Sequence, residues 1–292
     1  MLESYDADRT AREKFENKGL NVKAKLIVAI SLAIALAVSA ARAQPAPYND
    51  IGVTMGHWHL ISEDVEANKQ LFLAMGAELY MPGQPVMRFP GLYINLRLGA
   101  EEGEGGSQGS VVNHVGFIVD NVQERVAEWQ AKGVDVIPGN NGRVDQAYVE
   151  TPDGVRIEIL EDRNQSVPIR GEHVHLVLPE SELAAAQAWY AKIFGGAPGT
   201  RNDAPVVDLP GVQMRFRGAD QEQAPTRGRI LDHIGFDVRD HAAFMQRLEA
   251  EGIALDEPVR TGSSGNVITY ITDPWGTRVE IIQRGPLGPR VQ

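Results

Sequence analysis

Cysteine is missing altogether from this 292-residue chain. Disulfide stabilisation, thiolate nucleophiles and zinc-finger-type sites are therefore excluded, and so is the lipid-modified cysteine of a lipoprotein. Basic charge is also in short supply, with 28 Lys and Arg against 39 Asp and Glu, a net charge of −11. Nucleic acid is not an expected partner of so acidic a chain, because binding to phosphate backbones is driven by cationic side chains. Nor is the apolar run near the start long enough for a bilayer: Leu26 to Ala41 is 16 residues, short of the roughly 20 that span one. Lys23 and Lys25 precede that run, and Ala41-Arg42-Ala43 follows it with small residues at the −3 and −1 positions. This order is that of a secretory signal peptide. Cleavage after Ala43 is expected, giving a periplasmic or secreted protein that begins at Gln44 and has no stable membrane association. The charged stretch Met1 to Asn21 is long for such a signal, so translation is expected to start near Leu20 or Val22. Residues 44–292 carry 21 basic and 34 acidic residues and suffice for two cores of ordinary size.

What the chain does have is a constellation that occurs twice. His57, His114 and Glu158 in the first half are answered by His173, His233 and Glu280 in the second, at offsets of 116, 119 and 122 residues. Internal repetition of this kind sets the architecture. Two imidazoles and a carboxylate also form the ligand set of a facial metal triad with open positions.

The repeat is finer than two halves. Four segments begin with a histidine-bearing strand: GHWHLIS at Gly56, NHVGFIVD at Asn113, EHVHLVL at Glu172 and DHIGFDV at Asp232. A helical stretch follows each, with Asp120 or Asp240 placed to cap the start and Gly76, Gly133, Gly195 or Gly252 to end it in the left-handed conformation. Pro179-Glu-Ser-Glu reads as a small insertion in the third unit. β-branched runs broken by Gly, Pro and Asp then supply three more strands, so the unit is βαβββ. Alternation along a strand puts Val115, Phe117 and Val119 against the helix and His114 on the opposite face. The same rule places Ile157 and Ile159 inward and Glu158 outward, and splits Val279 and Ile281 from Glu280. The three ligand types thus share one face.

With the first-strand histidines go two hairpins, TPDGVRIE (Thr151 to Glu158) and DPWGTRVE (Asp273 to Glu280). Together these resemble the vicinal oxygen chelate superfamily, which groups glyoxalase I, fosfomycin- and bleomycin-resistance proteins, certain epimerases and type I extradiol dioxygenases. The resemblance covers residues 50 to 285. It implies an α+β fold in which four βαβββ units pair into two half-open mixed β-barrels with helices outside, one barrel from residues 44–165 and the other from 166–292. It also implies one divalent metal ion (Fe2+, Mn2+ or Zn2+) per barrel, held by His57, His114 and Glu158 and by His173, His233 and Glu280. His59 and His175 lie on the same strand faces and are alternatives to His57 and His173, which match the superfamily spacing to Asp64 and Glu180 better.

Departures from the superfamily pattern narrow the chemistry. Glyoxalase I adds a second carboxylate four residues after a hairpin glycine, where this chain has Asn95 and Arg215. A proton shuttle between two glutamates is not expected, and Arg215 is instead a candidate partner for a carboxylate or enolate. Tyr148 and Tyr270 each precede a ligand glutamate by ten residues, as a tyrosine does in the extradiol enzymes, and are candidates to donate to a bound oxyanion. The histidines that those enzymes place upstream of the tyrosine and between Thr200 and Arg215 are missing here.

The expected function is that of a metal-dependent enzyme, dioxygenase-like or lyase/isomerase-like, acting on a small molecule that chelates the metal through neighbouring oxygens. The alternative is a bleomycin-resistance-like protein that sequesters a small ligand without turnover. A homodimer is compatible with either. The acidic, glycine-rich stretch Glu101 to Ser110, at a place equivalent to Arg217 to Gly228, reads as a flexible connector within its barrel or a lid over the site, and Asp162 to Ile169 as the linker between barrels.

Overall fold

A computed structural model describes residues 46–80, 83–99 and 105–286, all within one compact unit. The segment expected to be a signal peptide, and with it the expected cleavage site, lies outside the described residues. Among them no helix is long and apolar enough to cross a membrane.

Four βαβββ units follow one another. The first is β1 (Val53–Ser62), α1 (Val65–Ala74), β2 (Glu78–Leu79), β3 (Val86–Phe89) and β4 (Leu92–Leu98); the second is β5 (Val112–Val119), α2 (Val122–Ala131), β6 (Val136–Pro138), β7 (Gln146–Glu150) and β8 (Arg156–Glu161). The third is β9 (Ile169–Pro179), α3 (Leu183–Phe194), β10 (Ala197–Arg201), β11 (Ala204–Leu209) and β12 (Val212–Ala219); the fourth is β13 (Leu231–Val238), α4 (His241–Ala250), β14 (Arg260–Thr261), β15 (Val267–Thr272) and β16 (Arg278–Gln283). The insertion in the third unit is a 3-10 turn, Glu180–Glu182.

Local signals explain the helix ends. Asp64 accepts from Ala67 N at 2.9 Å and Asp240 from Ala243 N at 3.0 Å, each satisfying a free donor of the first turn. In α2 the cap is Asn121, which accepts from Glu124 N. Asp120 was expected there; it accepts from Asn121 N instead, because the helix starts one residue later. Gly76, Gly133, Gly195 and Gly252 all take positive φ where the chain leaves its helix.

Pairing of the units departs from the expectation. The strands form two open, mixed, eight-stranded sheets in the orders β14-β15-β16-β13-β1-β4-β3-β2 and β10-β11-β12-β9-β5-β8-β7-β6. Units one and four build one sheet, and units two and three build the other. Residues 44–165 and 166–292 therefore do not each close a barrel, and the triads regroup accordingly. Asp162 to Pro168 joins strands of the same sheet, whereas the Gly99–Val111 and Asp220–Ile230 connections pass from one sheet to the other. The seven-residue link has only to step from β8 over β5 to β9, about 10 Å at a strand spacing of ~4.8 Å. In sequence the pairings were indistinguishable, since NHVGF and DHIGF present nearly the same edge to either partner.

The helix-facing sides of both sheets share one core. Trp58 meets Phe117 at 5.2 Å between ring centroids and Phe117 meets Phe89 at 4.6 Å, while Phe194 of α3 stacks on Phe236 at 4.4 Å. Each such buried side chain contributes about 1.5–3 kcal/mol. Tyr190 of α3 donates to Asp273 Oδ2 at 2.7 Å, and the other oxygen of Asp273 accepts from Trp275 N and Thr277 N. The DPWG turn, whose Gly276 has φ 99°, is thereby fixed to the helix. With the apolar residues turned to this core, the histidine faces are left to line the concave sides.

Candidate metal centres

On each concave side the site is two rows of residues running across neighbouring strands. In the β1/β13 sheet one row is Tyr93, His57, Gly235, Glu280 and Tyr270, and the next holds Asn95, His59 and His233. In the β5/β9 sheet the matching rows are Gln213, His173, Gly116, Glu158 and Tyr148, then Arg215, His175 and His114. Six of the seven histidines of the chain lie in these rows.

The two glycines make the geometry work. An added Cβ at Gly235 would stand 2.0 Å from His57 Cε1, and one at Gly116 would stand 1.9 Å from His173 Cε1. Each imidazole lies over the glycine of its partner strand and reaches the glutamate on the far side. His57 Nε2 is 3.5 Å and His233 Nε2 3.0 Å from Glu280 Oε2. In the other sheet, His173 Nε2 is 3.1 Å and His114 Nε2 3.4 Å from Glu158 Oε2. The predicted ligands thus converge, but as His57, His233 and Glu280 in one site and His173, His114 and Glu158 in the other. His57 is not with His114, nor His173 with His233, because the sheet partners differ from the sequence halves. His59 stays beside its site, with ligand atoms of His57, His59, His233 and Glu280 all within 4.8 Å of one another, and His114, His173 and His175 are grouped as closely.

Three outer acceptors aim the rings. His233 Nδ1 is 2.6 Å from Asp232, His173 Nδ1 2.5 Å from Glu172 and His114 Nδ1 3.0 Å from Asn113. Each acceptor is the neighbour of its histidine in sequence and would point to the other face of a regular strand. Register shifts at these places skip Asn113, Glu172 and Asp232 in the ladder, and such bulges re-aim a side chain. In unit one the skipped residue is Gly56. Its missing side chain leaves room for Asp237, whose Oδ1 would be 2.1 Å from a Cβ there. Arg284 pairs with Asp237 at 2.8 Å and lies 3.5 Å from His57 Nδ1. A polar residue before the histidine in units two to four was the signal available in the sequence; the bulges that give it meaning were not.

Tyr148 and Tyr270 both point at the carboxylates. Tyr270 donates to Glu280 Oε2 at 2.8 Å and Tyr148 to Glu158 Oε1 at 3.3 Å, with Gln146 donating to the same Glu158 oxygen. Burial, then the Glu158 charge, pushes the Tyr148 hydroxyl up to about 12. Arg215 adjoins His175 in register; it donates to both oxygens of Glu172 at 2.6 Å and is 3.8 Å from Glu158.

Electrostatically both sites are prepared for a cation. Burial works to raise the Glu158 and Glu280 carboxyls, but the histidines beside each outweigh it and hold both well below the carboxylate range. Burial followed by repulsion from neighbouring histidines pushes His59 down to about 3 and His175 down to about 2, so both are neutral donors of an electron pair. His57 Nε2 and His173 Nε2 are buried and make no well-aligned hydrogen bond, each having only a glutamate oxygen nearby, at 3.5 and 3.1 Å, so a cation placed between imidazole and carboxylate would satisfy both. Imidazole and carboxylate donors with outer acceptors on Nδ1 are what a divalent transition metal requires, so the residues present fit such an ion.

The sequence model of the glyoxalase/bleomycin resistance protein/dioxygenase superfamily matches residues 173–281. With the paired βαβββ sheets over the whole described chain, that match decides the family. The chain carries a domain of this superfamily. Glyoxalase I from Zea mays has the same fold at a TM-score of 0.57, with 14% identity over 80% of this chain and 92% of its own. A candidate dioxygenase from Bacillus subtilis subsp. subtilis str. 168 superposes with a TM-score of 0.57 at 16% identity, covering 84% and 87% of the two chains. At such identities the superfamily likeness concerns the fold alone. No curated protein matches the chain.

Proposed function

We propose that this superfamily member is a metal-dependent enzyme with two divalent-cation centres. His57, His233 and Glu280 hold one, with His59 adjacent, and His114, His173 and Glu158 hold the other, with His175 adjacent. The observation that carries this reading is the convergence of the buried Nε2 atoms of His57 and His173, neither in a well-aligned hydrogen bond, on a glutamate across a glycine. Bound there, the ion would serve as a Lewis acid for a small substrate presenting two neighbouring oxygens. Asp232, Glu172 and Asn113 take up Nδ1 and so turn Nε2 inward, towards the glutamate of each centre. Tyr148 and Tyr270 hold the glutamate oxygens in place and offer hydroxyls at the edge of each centre. A dioxygenase or a lyase/isomerase is compatible with these parts, and an extracytoplasmic location belongs to the same proposal. Metal analysis of anaerobically purified protein should find close to two ions per chain, after which oxygen uptake and product formation on catechols and α-hydroxyketones identify the reaction. Protein that takes up no transition metal at micromolar concentrations refutes the reading.

A further inference from the structure

The two centres are not equivalent. Beside Glu158 and His175 opens a cavity of about 360 Å³ whose lining includes Arg143, Arg201, Arg215 and Arg217. We infer that this cavity binds the carboxylate groups of an anionic substrate, and that the β5/β9 site is therefore the one that turns substrate over. The inference rests on the metal-dependent reading proposed above for its chemistry, but the anion site itself is a property of the arginines.

Charge and position both support it. Four guanidiniums face three carboxylates: Glu172 takes Arg215 and is 3.5 Å from Arg201, Asp145 takes Arg143, and Glu158 faces the centre. That is a surplus of one positive charge, and of three once a divalent ion is present. Arg217, two residues beyond Arg215 on the same strand face, pairs with no carboxylate among the described residues. Arg201 is held only by the long contact to Glu172, so both can turn to a ligand with little to give up. A planar fork suits a carboxylate through two parallel hydrogen bonds. Arg215 also stands next to His175 in register, so on that side the centre is bordered by a guanidinium, which favours an anion there. At the other centre the residue corresponding to Arg215 is the neutral Asn95 beside His59, Arg278 is paired with Asp232 and Arg284 with Asp237, and Arg97, the counterpart of Arg217, stands without an arginine in the place of Arg215.

The test is calorimetric titration with hydroxymalonate, a small dianion with neighbouring oxygens, and with dihydroxyacetone, uncharged and of similar size. It is run on the metal-free and the Zn2+-loaded full-length protein. One molecule of hydroxymalonate should bind per chain, at least tenfold more tightly than dihydroxyacetone, and the preference should persist without metal. The double substitution Arg201→Gln/Arg217→Gln should weaken hydroxymalonate at least tenfold while metal content stays unchanged. Arg97→Gln, at the matching place in the other sheet, should leave it as it was. Equal affinity for the two probes, or a double variant that binds like the parent, overturns the inference even if two metals are present. A protein that takes no metal but keeps the preference overturns the proposed chemistry and leaves the anion site standing.

Discussion

Gly235→Ala tests the cross-pairing of units more directly than any ligand substitution. The new methyl would stand 2.0 Å from Cε1, 2.3 Å from Nδ1 and 2.7 Å from Nε2 of His57, whereas ordinary contact begins at 3.4 Å. The imidazole must retreat by about 1.4 Å or swing away. A metal–nitrogen bond is only about 2.0–2.1 Å long, so a shift of that size would take His57 out of the proposed coordination sphere. Overpacking of this kind costs about 1–3 kcal/mol of fold stability, which the compact unit Ala43–Gln292 with its continuous core can absorb. Metal content by plasma emission spectrometry should therefore fall from two ions per chain towards one, with a lowered thermal midpoint but an unchanged circular dichroism spectrum. Gly116→Ala should empty the other centre by displacing His173. The informative feature is that position 235 lies in the last unit and its victim in the first. Two tightly held metals in Gly235→Ala protein would show that His57 does not lie over that glycine, and the assignment of units one and four to one sheet would fall.

Glu280→Gln keeps size and hydrogen bonding but removes the anion; because Val279 and Ile281 remain in the core, the fold should persist while the β1/β13 centre loses its ion at least tenfold more readily in a chelator competition. Full retention would make Glu280 a mere hydrogen-bonding residue. In metal-free protein, His59 and His175 have folded-state pKa values of about 3 and about 2, below the unfolded value near 6.5. Their contribution is intact above that value and is lost as pH falls, because only the unfolded chain takes up the protons, at about 1.4 kcal/mol per pH unit for each. His233, shifted upward by Asp232 and Glu280 against the effect of burial, offsets part of it. The urea midpoint should thus drop between pH 7 and pH 5, and a level profile would contradict the burial of these rings. Intact mass of the exported protein should correspond to a chain beginning at Gln44; retention of Leu26 to Ala41 would mean an anchor instead.

The four-fold βαβββ repeat, the face on which each candidate residue lies and the glycine ends of the helices were legible in the sequence, because they depend on period-two alternation and on residues such as Gly133 or Gly252 whose conformational freedom is local. That the six candidate residues lie on the face turned away from the core was legible for the same reason: His114 cannot face the core when Val115 and Phe117 do. Which histidine meets which glutamate was another matter. NHVGF and DHIGF are near copies, so local chemistry is indifferent to whether His57 crosses to Gly116 or to Gly235, and only the packing of Trp58, Phe89 and Phe117 between the two sheets selects one arrangement. Bulges at Asn113, Glu172 and Asp232 likewise belong to pairs of strands and not to single segments, and they decide which residues orient the rings. The arginines around Glu158 come from β10, β12 and the loop before β7, segments far apart in the chain. Their cavity exists only because units two and three are folded against each other.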